Sequence, residues 1–285
     1  MVQVRVWDVR EGRSVSVLRD PGGGGRPGPP AQPGRPLACL AASSDGHTLV
    51  AGTEQAGVDS FLLFWDLRQP KALQGGYWES HCDDVTAVAF HPAEAATLAS
   101  GSTDGQVNVF DVSRPDEDEA LVTSHHTADS VARLAWYSRG GDGRQLAIGT
   151  HTEALQLWHT PAEGPHTTLG RAAVCHGIRR TAAEHTYIAG LHAAGEGLVV
   201  VAGSSCPAAP CLRTAIVRNK KVKPLATLGS VGGTTRCSLL VEEGVVVTGG
   251  EDGVVRLWRE GQAQAKSPGV GKVASSKVKA RDKPY

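Results

Sequence analysis

No apolar run in this chain approaches the eighteen or so residues that cross a bilayer. The amino-terminal stretch MVQVRVWDVREGRS also lacks the apolar core of a secretion signal. Methionine occurs once, and long apolar stripes at helical spacing are scarce, which argues against a helical bundle. Net charge is absent too: 29 Lys and Arg stand against 29 Asp and Glu, so no global field draws the chain to nucleic acid or to a membrane. The six cysteines (Cys39, Cys82, Cys175, Cys206, Cys211, Cys237) show no CxxC spacing. Reduced thiols in an intracellular protein, nuclear or cytoplasmic, are expected. Cys206 and Cys211 come closest, in CPAAPC. Two sulfurs without a second pair or a nearby His make a poor zinc site, which leaves a plain loop, or a local disulfide or metal clip.

What the chain does have is turn residues and a repeat. It holds 35 glycines and 16 prolines, enough for many turns. SGSTDGQVNVFD (100–111) and TGGEDGVVRLWRE (248–260) are the same unit. In each a strand ends in small residues, an Asp-Gly turn follows, and alternating apolar residues lead into an aromatic. Asp104 precedes Phe110 by the same interval that separates Asp252 from Trp258, and Asp59 from Trp65. IGTHTEALQLWHT (148–160) is a degenerate copy, with Thr152 in place of the Asp. VRVWD (4–8) is the same strand without its predecessor.

Before each turn lies a short β run: TLVAGT, TLASGS, QLAIGT, LVVVAG or VVVTGG. Before each of those lies another: PLACLAAS, DVTAVAFHP, SVARLAWYS, TYIAGLH or TRCSLLV. Four short strands per roughly forty to fifty residues form the blade of a β-propeller. A single blade cannot bury both its faces, whereas stacked blades can.

With its Trp7-Asp8 and Trp65-Asp66 dipeptides, and Phe110-Asp111 as a variant, the chain resembles the WD40-repeat family over residues 1 to about 262. AGTEQAGVDSFLLFWDLR, ESHCDDVTAVAFHP and VTGGEDGVVRLW are most similar to the WD repeat-containing protein 89 type. The resemblance implies an all-β, WD40-type propeller of seven blades. It also implies a structural hydrogen-bond network of His, Ser or Thr, Asp and Trp. On this chain that network falls on His81, Ser100 and Asp104 in one repeat, and on Thr248, Asp252 and Trp258 in the last.

Counting strands gives an incomplete ring, about five and a half blades of an expected seven. The first one and a half would precede Met1, together with the strand that closes the last blade. Residues 20–36, DPGGGGRPGPPAQPGRP, are expected to be an inter-blade linker. SRPDEDEA (113–120) is expected to be an acidic hairpin tip, solvated by default or else a contact for a basic partner. Residues 263–285 are expected to be a disordered basic tail, with Lys266, Lys272, Lys277, Lys279, Arg281 and Lys283 against Asp282. That tail suits a solubilising terminus, a nuclear address or a contact to nucleic acid phosphates.

No catalytic constellation emerges. GSTDG is not GxSxG, and GVGK lacks the first glycine of a phosphate loop, Lys266 standing there instead. The expectation is a non-enzymatic scaffold with no cofactor, monomeric within a protein complex and not bound to membrane. Two partner classes follow. The resemblance includes substrate receptors that dock on the adaptor of cullin-RING ubiquitin ligases through Trp-Asp-x-Arg, which here singles out Asp8 with Arg10 and Asp66 with Arg68. In a second reading each arginine only pairs with its aspartate. The alternative function is a nuclear or nucleolar assembly scaffold, in ribosome or chromatin work, using a propeller face and the tail.

Overall fold

The computed structural model describes residues 3–20, 35–55, 57–58, 60–69, 73–195, 197–229, 233–242, 244–259 and 274–278. It divides into two compact units, residues 1–136 with 160–164 and residues 137–159 with 165–285.

In the first unit β1 (Gln3–Asp8) and β2 (Arg13–Arg19) form an antiparallel pair. Next comes a sheet of β3 (Leu37–Ala42), β4 (Thr48–Thr53), β5 (Ser60–Asp66) and β6 (Gly75–His81), hydrogen-bonded in chain order. β7 (Val85–Phe90), β8 (Thr97–Ser102), β9 (Gln106–Asp111) and β10 (Leu121–His126) repeat the pattern. A short helix, α1 (Glu117–Ala120), sits in the last connection. The following sheet runs β11 (Val131–Arg139), β12 (Asp142–Thr150), β13 (Leu155–His159) and β14 (Thr167–Leu169), and the division between the units falls within its first strand.

In the second unit α2 (Arg171–Gly177) precedes β15 (Thr186–Ala193), β16 (Leu198–Ser204), β17 (Cys211–Arg218) and β18 (Lys221–Gly229). β19 (Thr235–Glu242), β20 (Val245–Gly250), β21 (Val255–Arg259) and β22 (Ala274–Val278) form the last sheet. The sequence leaves this sheet with three strands and assigns 274–278 to a disordered tail. Within that stretch β22 pairs with β21 from Val255↔Val278 to Arg259↔Ala274. The outer edge of β21 carries unpaired backbone groups, and an extended segment of any composition can fill them.

The sequence of β5, Ser60-Phe-Leu-Leu-Phe-Trp-Asp66, explains how neighbouring sheets hold together. Side chains alternate across a strand. Leu63 and Trp65 pack with Val4, Leu18, Leu37, Leu49 and Ala51 on one side. Leu62 and Phe64 pack with Val50, Tyr77, Val85, Leu98 and Phe110 on the other. Both faces are buried, so the strand reads as a continuous apolar run. The scarce aromatics concentrate here: Tyr77 lies 4.9 Å from Phe64 and 4.9 Å from Phe110 between ring centroids.

The small residues of the repeat mark where one sheet meets the next. A Cβ on Gly52 would lie 2.5 Å from Cγ1 of Val85, and one on Gly101 would lie 2.6 Å from Cγ1 of Val131. Only glycine permits that approach.

The acidic stretch 113–120 is not a plain solvated tip. Asp116 caps α1 by accepting from the backbone N–H of Asp118 and Glu119. Glu117 turns back onto β6, where Trp78 to Ser80 bulge opposite Phe61. Its carboxylate accepts from the N–H of Trp78 at 2.5 Å, the N–H of Glu79 at 3.1 Å, and the Ser80 hydroxyl. Asn108 Nδ2 donates to the Ser80 carbonyl at 2.8 Å. The free edge of one sheet is thus sealed by side chains of the next.

Candidate functional site

His81 ends β6 and reaches into the following sheet. Its Nε2 lies 2.8 Å from Ser100 Oγ on β8, and its Nδ1 lies 3.2 Å from Asp104 Oδ2 in the β8–β9 turn. An ionised Asp104 only accepts, so Nδ1 carries a proton and the Ser100 hydroxyl serves Nε2. Asp104 also accepts from the N–H of Cys82 at 3.1 Å and of Gln106 at 2.7 Å. Burial pushes the Asp104 carboxyl up, but the bonds from His81 and these amides outweigh it and hold it below the usual range. The trio has the composition of a nucleophilic triad. Its setting removes that chemistry: Ser100 is wholly buried and His81 is 3% exposed, so no substrate reaches the hydroxyl.

The last repeat distributes the same residue types differently. Trp258 Nε1 donates to Thr248 Oγ1 at 2.9 Å in the buried interior. Asp252 does not join them. It takes Arg256, through Nη1 at 3.1 Å and through Nη2, and the N–H of Val254 at 3.1 Å. The Arg256 bond holds its carboxyl below the ordinary range.

The two Trp-Asp-x-Arg turns are near copies. Arg10 N–H donates to Asp8 Oδ1 at 2.8 Å and its Nη2 to Oδ2 at 3.2 Å. Arg68 does the same to Asp66 at 2.9 Å and 2.9 Å. Each guanidinium forks its own aspartate and keeps that carboxyl below its ordinary range. The arginine side chains nonetheless remain 91% and 64% exposed. Of the basic tail, Lys277 lies in β22, and Lys266, Lys272, Lys279, Arg281 and Lys283 lie outside the described residues. Asp59 also lies outside them.

The WD domain, G-beta repeat family matches residues 74–111, the stretch that holds His81, Ser100, Asp104 and the Phe110-Asp111 end of β9. Residues 74–111 are thus similar to one WD40 repeat. It is 40% identical over 93 residues to an uncharacterized WD repeat-containing protein of Saccharomyces cerevisiae, covering 32% of this chain and 24% of that protein. It is 26% identical over 155 residues to the WD repeat-containing protein 89 homolog of Dictyostelium discoideum, covering 54% and 37%. It is 29% identical over 158 residues to the ribosome biogenesis protein WDR12 homolog of Oryza sativa, covering 53% and 32%. The chain thus spans well under half the length of these relatives. Among solved structures, the β-propeller domain of Cps50 (Swd1) from Myceliophteria thermophila superposes with a TM-score of 0.63 at 13% identity, over 86% of this chain and 72% of that one. The all-β, propeller-type fold read from the sequence stands.

Two features of the later sheets escaped sequence reading. His192 on β15 places Nε2 at 2.8 Å from Ser238 Oγ on β19, and burial brings its pKa down to about 4. Gly190 makes room for this pair, because a Cβ there would meet Ser238 Oγ. Arg180 Nε, beyond α2, donates to Cys211 Sγ at 3.1 Å. All six cysteines are free thiols, Cys206 and Cys211 included. Both contacts join residues far apart in the chain, which no local spacing announces.

Proposed function

We propose that this chain is a non-enzymatic scaffold on which protein complexes assemble, in nuclear work of the ribosome-biogenesis kind. The observation that carries the reading is the use made of its polar residues. The His, Ser and Asp that could do chemistry are spent inside the frame, joining one sheet to the next, while loops and hairpin turns are left for partners. The rice relative named for ribosome biogenesis supports the direction. Nuclear residence, with or without a cytoplasmic pool, accords with it, and the tail lysines would add a salt-sensitive contact to nucleic acid.

A second reading rests on a separate observation. The paired Asp8–Arg10 and Asp66–Arg68 turns present the same exposed guanidinium geometry twice, as a repeated docking element for a cullin-ligase adaptor would. One experiment separates the two. The tagged protein is captured from cells beside an Arg10→Ala/Arg68→Ala variant and a variant truncated after residue 278, which keeps β22 and removes Lys279, Arg281 and Lys283. The scaffold reading expects nuclear assembly factors with parent and double variant alike, weakened by salt and by tail removal. Capture of a ligase adaptor that vanishes only in the double variant would replace it with the receptor reading. Capture of no protein partner would sink both.

A further inference from the structure

The β17–β18 hairpin, with its run Arg218-Asn219-Lys220-Lys221, has no role in the repeat. Arg218 pairs with Lys221, so Asn219 and Lys220 are the two central residues of a tight turn. Both have positive φ, +51° and +58°, as the primed hairpin turn requires. Asparagine suits that conformation. Lysine at the second position does not, since glycine is the usual occupant.

The side chain placed there borders a cavity of about 210 Å³. Its floor is Tyr137, Leu157, Leu198 and Val217, with Thr167 at the wall. Its rim carries Arg139, Arg218 and Lys220, all exposed, and no acidic residue lines it. Among the described residues no ion pair engages any of the three cations. Their field is felt nearby: His166 is held below its ordinary pKa by burial first, then by Arg139 and Lys220.

On the other side of the same hairpin is a second cavity of about 270 Å³. Ile216, Leu225, Leu228, Leu240 and Val246 line it, and Arg218 borders this one too. Leu225 is half exposed at its edge.

We propose that the two cavities flanking the β17–β18 hairpin form a docking site for a phosphorylated linear peptide of a partner protein. Arg139, Arg218 and Lys220 hold a phosphoserine or phosphothreonine, and the apolar cavity holds an aliphatic side chain close by in the same peptide. Three cations that no carboxylate among the described residues pairs match the near double charge of a phosphate better than the single charge of a carboxylate. A nucleic acid strand would need the basic lining to continue, whereas the next cavity along is apolar. The inference rests on the scaffold reading, whose partner chemistry it names.

The test uses the purified full chain and a degenerate library of phosphothreonine peptides with one fixed leucine at varied spacing, beside its unphosphorylated counterpart. Binding is read by fluorescence anisotropy. Phosphorylated pools are expected to bind at least about tenfold tighter, and Arg218→Ala, which borders both cavities, to lose that preference. Lys220→Gly separates binding from folding: it removes a cation and relieves the positive-φ lysine. It should weaken phosphopeptide binding while raising the Tm by about 2–4 °C. Equal binding of both pools, indifference to Arg218→Ala, or a single-stranded RNA that binds through the same arginines would each overturn the proposal. Because the assay needs no cellular partner, its failure is distinct from an empty capture experiment, which bears on the scaffold reading alone.

Discussion

The carboxylate of Glu117 receives the backbone N–H of Trp78 at 2.5 Å, across the boundary between two successive sheets. A bulge frees that N–H from its own ladder, and Glu117 satisfies it together with Glu79 N–H. Glu117→Ala should therefore destabilise the chain by about 1–3 kcal/mol, the cost of stranding such donors. The neighbouring Asp118→Ala, at a residue that offers no such acceptor, should cost far less. Paired urea melts of the two variants check this, and equal midpoints would contradict it.

Asp104 ties the β8–β9 turn to His81 and Cys82. Asp104→Ala removes the acceptor for three donors and should cost about 2–3 kcal/mol at neutral pH. Its folded pKa lies below the ordinary value. Its contribution is thus complete above about pH 4 and is lost as pH falls further. The gap between parent and variant should narrow in acid melts below that point.

His192 behaves in the opposite chemical sense. Unfolded, its ring titrates near the ordinary 6.5, and folded at about 4. Between the two the unfolded chain holds the extra proton, so stability is full above about pH 6.5 and declines toward pH 4. His192→Gln should lower stability at pH 7.5, through loss of the fit to Ser238, yet flatten the decline between pH 6.5 and 4. Melting temperatures across that range, with parallel slopes for both proteins, would rule this out.

Gly52→Ala should cost about 1–3 kcal/mol, because Val85 Cγ1 and the Cys39 sulfur already occupy the space a methyl would take. Gly57→Ala meets nothing within 4 Å and tests positive φ alone, so it should fall well short of that loss. Calorimetric scans of both substitutions decide the order.

Much of this architecture was legible because its physics is local. Asp-Gly turns and alternating apolar residues set the hairpins, and the aromatic near the end of β5, β9, β13 and β21 marks the core. His81, Ser100 and Asp104 could be named as partners because the resemblance to WD40 repeats implies such a network. Asp252 shows where that ends: its turn is the same, but Arg256 four residues on captures the carboxylate, a competition that spacing alone does not rank. Glu117, His192 and β22 were out of reach for another reason. Each meets a partner distant in sequence, and the stretch SRPDEDEA reads as solvent until the neighbouring edge is in view.

The close approaches at Gly52 and Gly101 repeat at the same place in successive sheets. A chain lengthened by one whole repeat at such a junction would meet the same small-residue surface on either side, and would need no new kind of contact. Inserting one residue inside β5 would instead exchange its two apolar faces, setting Leu62 and Phe64 against the neighbours of Leu63 and Trp65. For this chain, growth by duplication is a small step and growth by single residues within a strand is a large one, so insertions accepted over its history belong in the connections between strands.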